Sequence, residues 1–145
     1  MPHNRIDKIG SDQDDALIIH DDQLGAAVAR WDYRGRRVVA GPAPTVAAGT
    51  GAGTGATATI VAGDDSACRV TVTCGSTALA SGVLATISLS AAFANAPFVA
   101  LGRRDAGSAA LALFATSTAS TIAIQSATTP AASATYSFDV LLVGA

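Results

Sequence analysis

Beyond residue 56 the chain alternates between apolar and small or polar residues in short runs. In Val70-Thr71-Val72-Thr73 and Ile122-Ala123-Ile124-Gln125, every second residue is a branched aliphatic. That period belongs to a β-strand with one buried face and one face toward water. The pattern predicts strands over 57–62, 69–74, 83–89, 98–102, 109–115, 121–126 and 135–143. Turn-forming stretches separate them, among them Gly63-Asp64-Asp65-Ser66, Gly75-Ser76, Arg103-Arg104-Asp105-Ala106-Gly107 and Thr129-Pro130-Ala131-Ala132. Short strands at such spacing predict an all-β fold, an antiparallel, jelly-roll-like β-sandwich. The last strand is unusual. Tyr136, Phe138, Val140 and Leu142 make one face uniformly apolar, while the other turns from polar to apolar at Leu141 and Val143. It is expected to enter from an edge and to finish covered on both faces.

The first 40 residues read differently. Ala16-Leu17-Ile18-Ile19-His20 predicts a short strand. Ala27 to Trp31 and Arg36 to Ala40 predict a β-hairpin, with Asp32-Tyr33-Arg34-Gly35 as its turn and Gly35 at positive φ. An isolated hairpin is marginal in water, so this arm needs a partner. Residues 41–56 carry Pro42, Pro44 and glycines at 49, 51, 53 and 55, which predicts an extended linker, floppy or closely packed. The expected organisation is an arm over 1–40, a linker over 41–56 and a sandwich over 57–145.

Composition at first sight contradicts strands. Half the residues are hydrophobic and the mean hydropathy is +0.40. However, 33 of them are alanine, which buries little surface, so the core is lean. Alanine favours helices, but the last 100 residues contain no Glu or Lys and are rich in Thr, Ser, Gly and Val. A high-GC genome also enriches Ala and Arg. Nowhere do 18 apolar residues run together, and the N-terminus has no apolar signal stretch, so a soluble chain made in a cytoplasm is expected. The formal net charge of −2 gives no reason to expect a nucleic-acid or membrane partner. Charge is unevenly placed: thirteen of the twenty Lys, Arg and Asp residues lie in the first 40 positions.

The chemistry-bearing residues assemble into no catalytic constellation. Gly51-Ala52-Gly53-Thr54-Gly55-Ala56 matches a dinucleotide fingerprint in letters, but prolines precede it and a strand pattern follows it. There is no G-x-S-x-G elbow, and both histidines, His3 and His20, lie in the arm. Neighbouring carboxylates such as Asp64 and Asp65 point to opposite sides of an extended chain. A solvated turn is expected there, with calcium as the alternative. Cys68 and Cys74 lie about 20 Å apart along one strand face, too far to bond to each other. Two buried thiols are expected, with an inter-chain disulfide as the alternative. No catalytic residue, metal or cofactor is expected. The arm does offer a docking cluster. Ile18, Arg30, Trp31, Tyr33, Arg36 and Arg37 combine apolar, aromatic and cationic groups, and Trp31 suits an anchor buried in a protein partner.

Three runs carry a resemblance. They are Ile60 to Gly75 with Asp64, Val70, Val72 and Gly75; Leu84 to Val99 with Phe93, Pro97 and Val99; and Ala134 to Gly144 with Tyr136, Phe138 and Gly144. Together they resemble the C-terminal β-sandwich modules of bacteriophage virion proteins, notably those of phages infecting actinobacteria. The corner at Phe93, Pro97 and Val99 is also similar to that of H-type lectin sandwiches. Cys68, Cys74 and Val140 depart from the family pattern. The resemblance implies a homotrimer at the virion surface, assembled in the host cytoplasm and bound to capsid or tail proteins. Phe93, Pro97, Val99, Tyr136 and Phe138 are expected to be structural. An arm of about 40 residues is too short for a shaft, which favours a capsid decoration protein. The alternative is a tail-fibre or tail-tip adhesin that binds a host glycan through loops 103–108 and 127–134. Nucleic acid and membrane are not expected partners.

Overall fold

A computed structural model of the chain describes residues 42–144 and, among the first 41, the backbone of four strands. The chain forms two compact units, Met1–Pro42 and Ala43–Ala145.

In the first unit, β1 (Asn4–Asp7), β2 (Leu17–Asp21), β3 (Ala26–Trp31) and β4 (Arg37–Val38) make an antiparallel sheet in chain order. The hairpin of the sequence reading corresponds to β3 and β4, with Arg30 opposite Val38 and Trp31 opposite Arg37. β2 joins it by pairing with β3, and β1, over a stretch with no predicted strand, pairs with β2. Added strands give a marginal hairpin further backbone partners. The Gly35 turn lies outside the described residues.

The second unit is a sandwich of two four-stranded antiparallel sheets. One contains β5 (Thr45–Ala48), β8 (Gly82–Ser88), β10 (Leu113–Ser117) and β11 (Thr121–Ser126), in the order β10-β11-β8-β5. The other contains β6 (Thr57–Gly63), β7 (Ala67–Thr73), β9 (Phe98–Arg103) and β12 (Thr135–Val143), in the order β6-β7-β12-β9. Only β6–β7 and β10–β11 are hairpins within one sheet; every other connection of this unit crosses between sheets. The arrangement is all-β and jelly-roll-like.

The period-two pattern explains the layers. In β7 and β11 half-buried and buried residues alternate, and β12 buries Tyr136, Phe138, Val140 and Leu142. These meet Val70, Val72, Leu84, Ile87, Ile122 and Ile124 between the sheets. Thr135 to Ser137 pair with β7 alone, whereas residues from Phe138 to Leu141 pair with both β7 and β9. Leu142 and Val143 pair with β9 alone, with the Leu142 N–H also donating to the Ser66 carbonyl at 2.8 Å, so the closing strand has a strand on both sides only in its middle.

Three expectations are corrected. The segment expected to be a linker, 41–56, contains β5 and a 3₁₀ turn, η1 (Thr50–Ala52), and all but its first two residues belong to the sandwich. Its glycines permit close packing: a Cβ on Gly49 would lie 2.3 Å from the Val83 carbonyl oxygen. The strand expected over 109–115 begins only at Leu113, because a short helix, α1 (Ala106–Ala110), takes its start. Finally, Leu141 and Val143 are exposed rather than covered, since no second layer of the sandwich unit lies over that face of β12.

Candidate binding surfaces and the groups that fix them

The acidic turn between β6 and β7 is not the solvated turn expected. Asp64 is buried, and its Oδ1 accepts hydrogen bonds from the backbone N–H of Ser66 at 2.8 Å and of Ala67 at 3.0 Å, and from the Ser66 hydroxyl. An aspartate that takes the N–H two and three residues ahead closes its own turn. Asp65 points elsewhere. Its carboxylate accepts from the backbone N–H of Ser90 and Ala91, both at 2.9 Å, and from the Ser90 hydroxyl. It therefore fixes the connection between β8 and β9, 25 residues further along the chain.

That connection carries the Phe93–Pro97–Val99 corner. The N–H of Phe93 donates to the Ala119 carbonyl at 2.8 Å, and Ser117 donates its hydroxyl to the Pro97 carbonyl at 2.8 Å. Phe93 and Val99 pack against the core as half-buried residues, and Pro97 is buried immediately before β9. With no N–H to donate, Pro97 suits a strand entrance.

At the Tyr136 end of the sandwich, Asp105 joins three elements. Its Oδ1 accepts the Ser108 N–H at 2.5 Å, while Ser108 Oγ takes the Asp105 N–H, the reciprocal pair of a capping box. Its Oδ2 accepts the Ser137 N–H of β12 at 2.6 Å. Burial pushes this carboxyl up, but the N–H donors of Ser108, Ser137 and Gly107 outweigh it and hold the group below the usual aspartate value. Beside it, the Tyr136 hydroxyl accepts the Ala131 N–H at 2.8 Å, and a Cβ on Gly107 would lie 3.2 Å from the Tyr136 ring. Loops 103–108 and 127–134 thus converge on one buried tyrosine.

The outer face of the β6-β7-β12-β9 sheet has three bands. At the entrance of β12, Thr73 and Thr135 share a hydroxyl hydrogen bond at 3.0 Å, as do Thr71 and Ser137 at 3.4 Å. In the middle, Asp139 bonds Arg69 at 3.2 Å and Arg104 at 2.9 Å. Partial burial raises the Asp139 carboxyl, and the two guanidinium groups bring it below its ordinary value. At the far end stand Phe98, Leu141 and Val143, exposed by 70%, 49% and 56%.

Cys68 and Cys74 are both free thiols buried toward the core. Burial, reinforced by the negative charge of Asp64, Asp65 and Asp139, pushes the Cys68 thiol up to about 11. Burial raises Cys74 as well. Among the described residues no group of three or more His, Cys, Asp and Glu side chains could hold a metal, and no helix is long and apolar enough to cross a membrane.

Of the expected docking cluster, the backbones of Ile18, Arg30, Trp31 and Arg37 lie on three adjacent strands, with Ile18 opposite Arg30 and Trp31 opposite Arg37. Tyr33 and Arg36 lie outside the described residues. Sequence reasoning missed Asp65 and Asp105. The pattern Asp105-x-x-Ser108 was a readable capping signal. Asp65 has no local signal, because its partners come from a distant loop. The chain matches no model of a known protein family, no curated protein and no solved structure.

Proposed function

We propose that the chain is a structural protein of a bacteriophage virion: a trimeric capsid decoration protein of head-fibre or cement type. Its N-terminal unit fixes it to the shell, and its sandwich stands at the virion surface. The observation that carries this reading is how the sandwich uses charge. Residues 43–145 hold three arginines and four aspartates, and all seven are engaged within the unit. Asp64, Asp65 and Asp105 bind backbone N–H groups, Asp139 holds Arg69 and Arg104, and Arg103 donates to the Ala109 carbonyl at 3.3 Å. Ionisable groups arranged to stiffen a scaffold suit a protein that works by assembly rather than by turnover. The three sequence runs that resemble virion sandwich modules support the same reading, as does the N-terminal unit, which holds thirteen of the twenty charged residues.

A second reading, a tail-fibre or tail-tip adhesin for a host glycan, draws on the convergence of loops 103–108 and 127–134 at Tyr136. Copy number separates the two. Gel densitometry of purified particles against the major capsid protein is expected to give hundreds of copies per virion. A count of a few to tens refutes the decoration reading and favours the adhesin, and absence from particles refutes both.

A further inference from the structure

We infer that the charged row of the β6-β7-β12-β9 outer face binds an acidic sugar, with its carboxylate on Arg69 and Arg104 and its hydroxyls on Asp139 and the adjoining hydroxyl row. This goes beyond the assembly reading and does not depend on it.

The register sets one row across all four strands. Arg69 of β7 lies between Ala62 of β6 and Asp139 of β12, and Asp139 lies opposite Gly102 of β9. Gly102 adds no side chain, which lets Arg104, two residues on, reach Asp139 from that side. Two guanidinium groups thus stand around one carboxylate, and the three side chains remain between 41% and 47% exposed. Their charges do not cancel: Arg69 and Arg104 against Asp139 leave one positive charge. Neighbouring charges do not remove it. Arg103 belongs to the opposite face and donates to the Ala109 carbonyl, while Asp105 accepts the N–H groups of Ser108 and Ser137. Asp64 and Asp65 are committed to backbone N–H groups of the β6–β7 turn and of the β8–β9 connection.

Charge and donor chemistry decide the ligand. A guanidinium has five N–H donors, and each arginine gives Asp139 one, from Nε of Arg69 and from Nη1 of Arg104. The others suit a second carboxylate, which the planar fork of arginine binds through paired N–H to oxygen bonds. Hydroxyl chemistry decides what carries that carboxylate. Asp139 accepts one of these bonds on each oxygen and keeps lone pairs for a hydroxyl donor. The next row, roughly 7 Å along the strands, is Thr59, Thr71 and Ser137, and the row beyond it is Thr57, Thr73 and Thr135. Thr71 and Ser137 share one hydrogen bond, as do Thr73 and Thr135, so each pair retains an O–H to donate and open lone pairs. Charged groups beside rows of hydroxyls match a molecule that carries a carboxylate among hydroxyls of its own. An acidic peptide would use the guanidinium pair and leave the hydroxyl rows idle. A nucleic acid brings many charges to a surplus of one.

The test is a nuclear magnetic resonance titration of the nitrogen-labelled full chain, observing backbone amides and arginine Nε–H groups at low salt. The probes are galacturonate, galactose, acetate and a short oligoglutamate. Galacturonate is expected to shift the signals of Arg69, Ser137 and Asp139 saturably, to bind at least about 10-fold more tightly than galactose or acetate, and to weaken as salt is added. Arg104→Gln leaves the Arg69–Asp139 pair in place and should bind galacturonate at least about 10-fold more weakly. Arg103→Gln, on the opposite face, should bind as the natural chain does. Arg104→Lys keeps the charge but loses the planar fork, so its affinity should fall between the two, and it serves if Arg104→Gln fails to fold by far-ultraviolet circular dichroism. The absence of saturable shifts with galacturonate overturns the inference, as does normal binding by the Arg104 variants. Acetate binding as tightly as galacturonate would show an adventitious anion only, and tighter binding of oligoglutamate would assign the face to an acidic protein; both overturn the inference too. Virion copy number bears on the proposed function and not on this titration, so the two failures are distinguishable.

Discussion

Removing the Asp105 carboxylate should destabilise the sandwich markedly for a change at a partly exposed polar residue. Asp105→Ala deletes the cap of α1 and the acceptor for the Ser137 N–H on the central strand β12. Loss of a cap costs about 1 kcal/mol, within a range of 0.5–2. Leaving a strand N–H without its charged acceptor costs about 1–3 kcal/mol more. A total near 2–3 kcal/mol lowers the melting temperature of a domain this size by about 10–20 °C. Asp105→Asn keeps one oxygen acceptor and should lose roughly half as much. The acid side supplies a second readout. The folded carboxyl sits below its ordinary value, so its stabilisation is complete above an unfolded value of about 3.9. It disappears as pH falls through the lower folded value. Stability of the natural chain should therefore fall with acid below about pH 4, and Asp105→Ala should show a shallower fall, with Asp139 contributing what remains. Urea unfolding followed by circular dichroism from pH 2.5 to 7 measures both quantities. A loss under about 0.5 kcal/mol at pH 7, or an unchanged acid slope, would refute the roles assigned to Asp105.

Three further outcomes follow from the same geometry. Tyr136→Phe removes the acceptor of the Ala131 N–H while keeping the ring, and should cost about 1 kcal/mol, with faster amide exchange at Ala131; unchanged exchange would show that the hydroxyl does not hold that loop. Cys68 and Cys74 should resist a thiol-reactive dye at pH 8 in the folded chain and react once it is unfolded in urea, and non-reducing gels should show no cross-linked species; rapid labelling of the native protein would contradict their burial. Gly63→Ala introduces a Cβ about 2.2 Å from the Ala67 carbonyl oxygen at a φ of +123°, so it should cost at least about 2 kcal/mol in chemical denaturation, and a neutral result would mean that the β6–β7 turn rearranges freely.

Much of the sandwich was legible in the chain because β7, β11 and β12 each bury one face, and burial on one face writes itself into every second residue. The strand over 121–126 coincides with β11, and that over 135–143 with β12. Legibility failed where local composition and tertiary context disagree. Thr45-Val46-Ala47-Ala48 sits between prolines and glycines and carries only one branched aliphatic residue, yet it becomes β5 because β8 offers it an unpaired edge. Ala109-Ala110 has strand-like neighbours, but Asp105 caps the preceding turn as a helix. In the arm, the Asn4–Asp7 strand has no apolar alternation to reveal it; only pairing with β2 defines it.

Taken by itself, then, the amino-acid sequence determined the all-β class, the buried face of each main strand and the lean, alanine-rich core. These depend on period and side-chain volume, which are local properties. Only the tertiary structure decided which strands share a sheet, that Asp65 reaches a loop 25 residues away, and that Asp64 is buried. It also decided that Leu141 and Val143 end exposed beside Phe98. An alternating strand specifies that it has two faces. Whether a second layer covers both depends on where the rest of the chain passes, and here the sandwich unit covers only one.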